Sequence, residues 1–120
     1  MTVAGFRPAR IAEEIRNEIG LMLAGELKDP RLALPLIVSE VRLGAGMRKV
    51  RVYVQFEGTP AERAEALKGL KAAAGYVRHE LVERLNLRRA PEILFVPDES
   101  KEYGQHIDEL LRKVTPPKET

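Results

Sequence analysis

An apolar stripe at helical spacing crosses the middle of this chain and passes a glycine without losing step. Leu67, Leu70, Ala74, Val77, Leu81 and Leu85 recur at intervals of three, four, three, four and four, which is one face of a helix. Gly58-Thr59-Pro60-Ala61-Glu62 opens it: Thr59 is a capping residue, Pro60 suits the first helical position, and Glu62 completes a capping box. Periodicity alone therefore predicts one helix from about residue 60 to 87, long beside the ~11–12 residues of a mean helix. Inside it lies Leu70-Lys71-Ala72-Ala73-Ala74-Gly75-Tyr76-Val77-Arg78. A glycine within a helix costs about 1 kcal/mol against alanine, so Gly75 implies either a kink or the close approach of something to bare backbone.

The remaining elements arrange themselves around that helix. Ile11, Ile15, Ile19, Met22/Leu23 and Leu27 describe an amphipathic first helix, and Lys28-Asp29-Pro30 closes it, because the residue before proline is pushed out of the helical region. Leu36 to Leu43 reads as a strand and Gly44-Ala45-Gly46 as a flexible turn. Val50, Val52, Val54 and Phe56 then alternate with Lys49, Arg51, Tyr53 and Gln55, a half-buried strand with a polar, partly cationic outer face. The two strands predict a hairpin whose register the loop does not fix. Ile93-Leu94-Phe95-Val96, between Pro91 and Pro97, reads as a short strand buried on both faces. Asp98-Glu99-Ser100 favours the start of a last helix carrying Tyr103, Ile107, Leu110/Leu111 and Val114, with the acids explained by the helix dipole. Residues 115–120 read as a disordered tail. The order is α-β-β-α-(α)-β-α: an α+β fold, a three-stranded sheet with helices on one face, forming one domain over residues 1–114.

Composition narrows the function classes. Cysteine is absent, which removes a disulfide framework and a thiol nucleophile and suits a reducing compartment. Met1 to Arg10 holds no apolar run of the kind a signal peptide needs, and no segment approaches the ~20 apolar residues of a membrane span. The expectation is a soluble cytoplasmic protein without a membrane partner. The net charge of +2 says little, but its distribution says more. From Arg42 to Arg89 there are eleven basic and five acidic residues, a net +6, against −1 for residues 1–41 and −3 for residues 90–120. A cationic middle fits a polyanion-binding face; a solvated surface with scattered charge accounts for the count equally well.

Reactive groups are scarce. His79-Glu80 lacks the second histidine of a zinc-protease helix, His106 stands beside Ile107, and both read as solvated positions. Glu13-Glu14 are adjacent on a helix and point apart. Gly69 and Gly75 are not followed by the Lys-Ser or Lys-Thr of a phosphate loop. No cofactor and no metal site is expected, and an enzyme is the least favoured reading. The basic residues around Gly75 differ. At about 100° per residue from Leu67, Arg78 falls near 20°, Lys71 near 40°, Gly75 near 80° and Lys68 near 100°, along one edge of the apolar stripe. Cations flanking a bare backbone suit a phosphate chain; stems shielding the stripe's edge are the alternative. Arg84, Arg88 and Arg89 extend the charge to the helix end, where the dipole also favours them. Tyr53 and Tyr76 offer rings for base stacking, but with aromatics at 5% of the chain a stacking platform is not expected.

Taken in order, several short motifs resemble the ribosome-binding factor A family over nearly the whole chain. They are Arg7-x-x-Arg10-Ile11-Ala12-Glu13-Glu14-Ile15, Leu27-Lys28-Asp29-Pro30-Arg31, Val50-x-Val52-Tyr53-Val54, Leu70-x-x-Ala73-Ala74-Gly75-Tyr76-Val77-Arg78, Leu87-Arg88-x-x-Pro91-Glu92-Ile93-x-Phe95 and Asp98-x-Ser100-x-x-Tyr103-Gly104. The resemblance implies a type II KH-like domain in which an Ala-x-Gly kink, here Ala73-Ala74-Gly75, replaces the usual Gly-x-x-Gly loop, giving a kinked helix pair. It implies a monomer that binds the free small ribosomal subunit at its 16S rRNA and helps mature the rRNA 5′ end, notably in the cold. Gly44-Ala45-Gly46-Met47 departs from the acidic residue that members of the family often carry in this hairpin loop.

The expected RNA-binding residues are Lys49, Arg51, Lys68, Lys71, Ala73, Gly75, Arg78, Arg88 and Arg89. Two rival readings stand beside this one: a generic single-stranded RNA-binding KH module, and a protein-interaction or dimerisation domain using the helix face at Ala72–Gly75.

Overall fold

Val50, Val52 and Val54 are fully buried, and they turn one face of a central strand into the floor of the core. A computed structural model describes residues 3–99 of the chain. Its elements are α1 (Val3–Leu21), β1 (Leu36–Leu43), β2 (Lys49–Phe56), α2 (Pro60–Leu85) and β3 (Glu92–Pro97). The sheet order is β1-β2-β3, with β1 antiparallel and β3 parallel to β2. A parallel pair needs a crossover, and α2 supplies it. Helix α1 lies against β1 and α2 against β3, and Ile15, Ile19, Met22, Leu70, Val77 and Leu81 meet the valines of β2 in one apolar cluster. The expected last helix, its Ser100 cap, His106 and the tail lie outside the described residues.

The hairpin register runs from Leu36 opposite Phe56 to Leu43 opposite Val50, with one irregularity at Ser39. That bulge has a clear cause. Strict alternation from Val38 would aim Glu40 into the core; the extra residue shifts the phase so that Val38 and Val41 both point inward and Glu40 stays out of it. In β3, Ile93 and Phe95 are buried while Leu94 and Val96 are half-buried, so the strand is less enclosed than a run of four apolar residues between prolines predicts. Asp98 follows it. Its N–H donates to the Val54 carbonyl at 2.8 Å, and its carboxylate accepts from Ser39 Oγ at 2.5 Å and from Gln55 Nε2 at 3.4 Å. The acid read as a helix-dipole residue therefore joins all three strands.

Helix α2 starts as its capping box prescribes: Glu62 N–H donates to Thr59 Oγ1 and Thr59 N–H to Glu62 Oε1, at 3.1 and 2.9 Å. It ends at Asn86, a left-handed cap with φ 54°, a conformation asparagine tolerates. Between these the helix is continuous for 26 residues, and Gly75 keeps a right-handed φ. The kinked helix pair implied by resemblance is thus corrected to the single helix implied by periodicity. The physical reason is that Leu70, Val77 and Leu81 stay in phase on one sheet face, so neither half gains by turning away. Gly75 is exposed, with no atom within 4 Å of where a Cβ would stand. Gly69, by contrast, is buried, and a Cβ there would stand 3.2–3.3 Å from Leu32, Arg31 and Asp29, so its absence lets the loop after α1 pack on α2.

The first helix closes differently from the expectation. It widens into a π-turn over Met22–Glu26, and Leu27 N–H returns to the Met22 carbonyl at 3.0 Å. The turn keeps Met22 buried and carries Glu26 to α2. There Arg84 binds Glu26, Glu18 at 3.2 Å and Glu80 at 3.0 Å, while Tyr76 donates its hydroxyl to Glu26 at 3.0 Å. Arg84 and then Tyr76 hold the Glu26 carboxyl below its usual range against the opposing effect of burial, and Glu26 in turn raises the Tyr76 phenol.

Two glycines should respond to alanine in opposite directions. Gly75→Ala should stabilise the protein by about 0.5–1 kcal/mol, because the helix continues and the methyl has room. Gly58→Ala should destabilise it by about 1 kcal/mol or more, since φ is 129° and a Cβ would meet Glu62 Oε1 at 2.7 Å, evicting the capping carboxylate. Urea unfolding of both variants reads the opposite signs. For Glu26, a folded pKa below the ordinary 4.5 means that its contribution is complete above that pH and is lost as pH falls further. Glu26→Gln should therefore be less stable than wild type at neutral pH, with the gap narrowing in acid.

Candidate nucleic-acid interface

The exposed side of α2 follows from which side of it is spoken for. On the same wheel, Tyr76, Gly69, Glu80 and Arg84 span about 180–260° and face α1 and the loop after it. The buried stripe occupies about 260–340°. Arg78, Lys71, Gly75 and Lys68, at about 20–100°, are left on the flank turned away from α1, on the β3 side of the molecule. Lys68, Lys71, Gly75 and Arg78 are exposed, whereas Ala73 is half-buried and, at about 240°, lies on the side of the helix that faces α1. Lys68 pairs with Glu65 at 3.1 Å. Lys71 and Arg78 have no ionic partner among the described residues. A glycine with open space above it, bracketed by two unneutralised cations, can receive a phosphate backbone at close range.

Lys49 and Arg51 are exposed too, but alternation puts them on the sheet face opposite the helices. They do not join the α2 line; they stand on the polar outer face that alternation predicts for this strand. Arg51 stands opposite Arg42 in the hairpin register. Arg42 is committed elsewhere: its guanidinium binds Glu40 at 2.7 Å and lies over the Tyr53 ring at 5.2 Å. The Glu40 carboxylate, and to a lesser degree Tyr53, raise its pKa. Tyr53 is thereby covered and half-buried, and Tyr76, though 43% exposed, spends its hydroxyl on Glu26. Neither ring forms a stacking platform.

Arg88 and Arg89 lie in the loop from α2 into β3, exposed and unpaired among the described residues. This loop reaches the start of β2, because Glu92 N–H donates to the Arg48 carbonyl at 2.8 Å and Glu92 is the ladder partner of Lys49. Eight of the nine expected residues therefore divide into an α2 group and a sheet-end group, and Ala73, on the α1 side of the helix, joins neither. Sequence reasoning misses Arg48, exposed beside Lys49; its signal is its place just after the glycine turn. It also counts Arg84 with the helix-end cations, yet three carboxylates consume that charge. His79 is exposed, and no group of three or more His, Cys, Asp or Glu suited to a metal forms among the described residues.

Comparison with known proteins bears on the same residues. The family model described as ribosome-binding factor A matches residues 7–111. A ribosome-binding factor A from Koribacter versatilis is 47% identical over 105 residues, covering 88% of this chain and 85% of that protein. The crystal structure of ribosome-binding factor A from Thermus thermophilus superposes with a TM-score of 0.68 at 28% identity, over 78% of this chain and 97% of that one. A homology model of the Thermus thermophilus factor, fitted into a cryo-EM map of its complex with the 30S subunit, gives a TM-score of 0.52 at 28% identity, over 72% and 93%. The α-β-β-α-β order, the three-stranded sheet and these neighbours are those of a KH-like fold. A match spanning the first helix, the sheet and the cationic face of α2 makes this chain a member of the ribosome-binding factor A family.

Proposed function

We propose that this chain is a non-catalytic assembly factor that binds the free small ribosomal subunit through its 16S rRNA, as a monomer in the cytoplasm. The observation that carries the reading is the α2 flank, where Lys71 and Arg78 are unneutralised on either side of the open Gly75. Membership of the family supports it, as does the Thermus thermophilus relative seen on the 30S subunit. Contact is made to backbone and shape rather than to bases, since both candidate rings are engaged within the protein. Promotion of 16S rRNA 5′-end maturation, with most effect in the cold, is the biological role we assign by likeness to the family.

Co-sedimentation with free small subunits and with assembled ribosomes, across a salt series, tests the binding. The wild type should pellet with free subunits and lose affinity steeply as salt rises. Lys71→Gln/Arg78→Gln should bind at least about tenfold more weakly and flatten the log–log salt slope by about 1–2. A folded double variant that binds as tightly as wild type sinks the assignment. Equal affinity for short unstructured RNAs and intact subunits would favour the generic KH module instead. For the role, cells lacking the protein should accumulate 16S precursors with unprocessed 5′ ends in the cold, and the double variant should restore processing poorly.

A further inference from the structure

Apart from Arg10 and Lys28 on the α1 side, every cation without a partner among residues 9–99 falls into one of two groups. One is the α2 pair, Lys71 and Arg78. The other is Arg48, Lys49, Arg51, Arg88 and Arg89. We propose that this second group is a separate RNA-phosphate site, so that the protein bridges two RNA segments, one on the α2 flank and one at the sheet end.

Topology makes the second group one place. Strands β2 and β3 are parallel and begin together, with Lys49 beside Glu92 and the Arg48 carbonyl bonded to Glu92 N–H. The loop bearing Arg88 and Arg89 enters β3 at the same point. Arg51 follows Lys49 on the outer sheet face, about 7 Å further along the strand. Glu92, the ladder partner of Lys49, is a carboxylate beside this group, and it forms no ion pair within the described residues. Glu40 is held by Arg42, and Glu57, Asp98 and Glu99 stand at the far ends of β2 and β3. The sheet thus carries a charge gradient along its strands, positive where β2 and β3 start.

The chemistry selects phosphate. Four of the five cations are arginines, whose planar forks match phosphate oxygens in pairs. The large exposed apolar side chains, Leu21, Ile37 and Tyr76, lie elsewhere, so the patch lacks the anchors of a protein interface. Geometry makes the site a second one. Lys49 and Arg51 lie on the sheet face opposite the helices, so the sheet stands between them and Lys71 and Arg78, and Arg88 and Arg89 follow the end of α2, about 10 Å of helix beyond Arg78. A short backbone segment seated on one face does not reach the other.

The bridging half of the inference rests on the α2 reading; the sheet-end site stands without it. The test counts bound copies of a single-stranded RNA of about three nucleotides, too short to engage both groups at once, by native mass spectrometry of the full chain at low salt. Wild type should bind two. Arg48→Gln/Arg88→Gln/Arg89→Gln and Lys71→Gln/Arg78→Gln should each bind one, and the combined variant none. The Arg48→Lys/Arg88→Lys/Arg89→Lys variant should recover the second copy, which separates charge from fold. On small subunits the Gln triple should flatten the salt slope by about 2–3. Binding of one copy by wild type, or of two by the Gln triple, overturns the proposal. Two copies on Lys71→Gln/Arg78→Gln with one on the triple keeps the sheet-end site and removes the α2 flank from the proposed function.

Discussion

The burial of the α2 stripe on the sheet fixes most else in this molecule. β3 lies parallel to β2, so the chain must cross the sheet between them, and the crossing helix must put an apolar face on Val50, Val52 and Val54. Leu70, Val77 and Leu81 do so in unbroken phase. Burying three such side chains contributes roughly 1.5–3 kcal/mol each, more than any single surface contact here. Once that face is set, the helix has no rotational freedom left. Tyr76 and Arg84 must look toward α1, and Lys71, Gly75 and Arg78 must look away from it.

How far the sequence revealed this depends on the range of each interaction. The strand limits of β1 and β2 were legible because alternation is local, and so was the capping box, whose partners are three residues apart. The Ser39 bulge was legible in principle: inward valines at 38 and 41 are an odd number apart, which no regular strand allows. Arg84 was not, because two of its carboxylates lie on the first helical segment, 58 and 66 residues away in sequence. The wheel placed Lys71, Gly75 and Arg78 on one edge, and the parity of β2, with helices on one face of the sheet, already placed Lys49 and Arg51 on the other. What the wheel did not show is that Ala73, five residues after Lys68, falls on the side facing α1.

The structure also sorts the cations that composition could only count. Arg16, Arg31, Arg42 and Arg84 each meet a carboxylate, and with Arg84 the pairing joins three parts of the fold. Such exposed or half-exposed pairs add little stability singly, but they remove charge from the surface field. What remains unneutralised in the cationic middle of the chain is confined to the α2 flank and the sheet end. The surface field of the middle is therefore not the diffuse charge that the sequence count permits.

Gly75 concentrates these constraints in one residue. A glycine persists in a helix for one of three reasons internal to the chain: a left-handed φ, a kink, or a neighbour that leaves no room for Cβ. None holds here, since φ is right-handed, the helix is continuous and the space above is empty. Gly69, six residues earlier, shows the contrast, with three side chains close around its missing Cβ. The cost of Gly75 to the helix, about 1 kcal/mol, is thus offset by nothing within the described fold. In the function proposed above, the compensation comes from outside: between Lys71 and Arg78 the backbone is bare enough for a phosphate chain to approach, with charge on both sides to hold it.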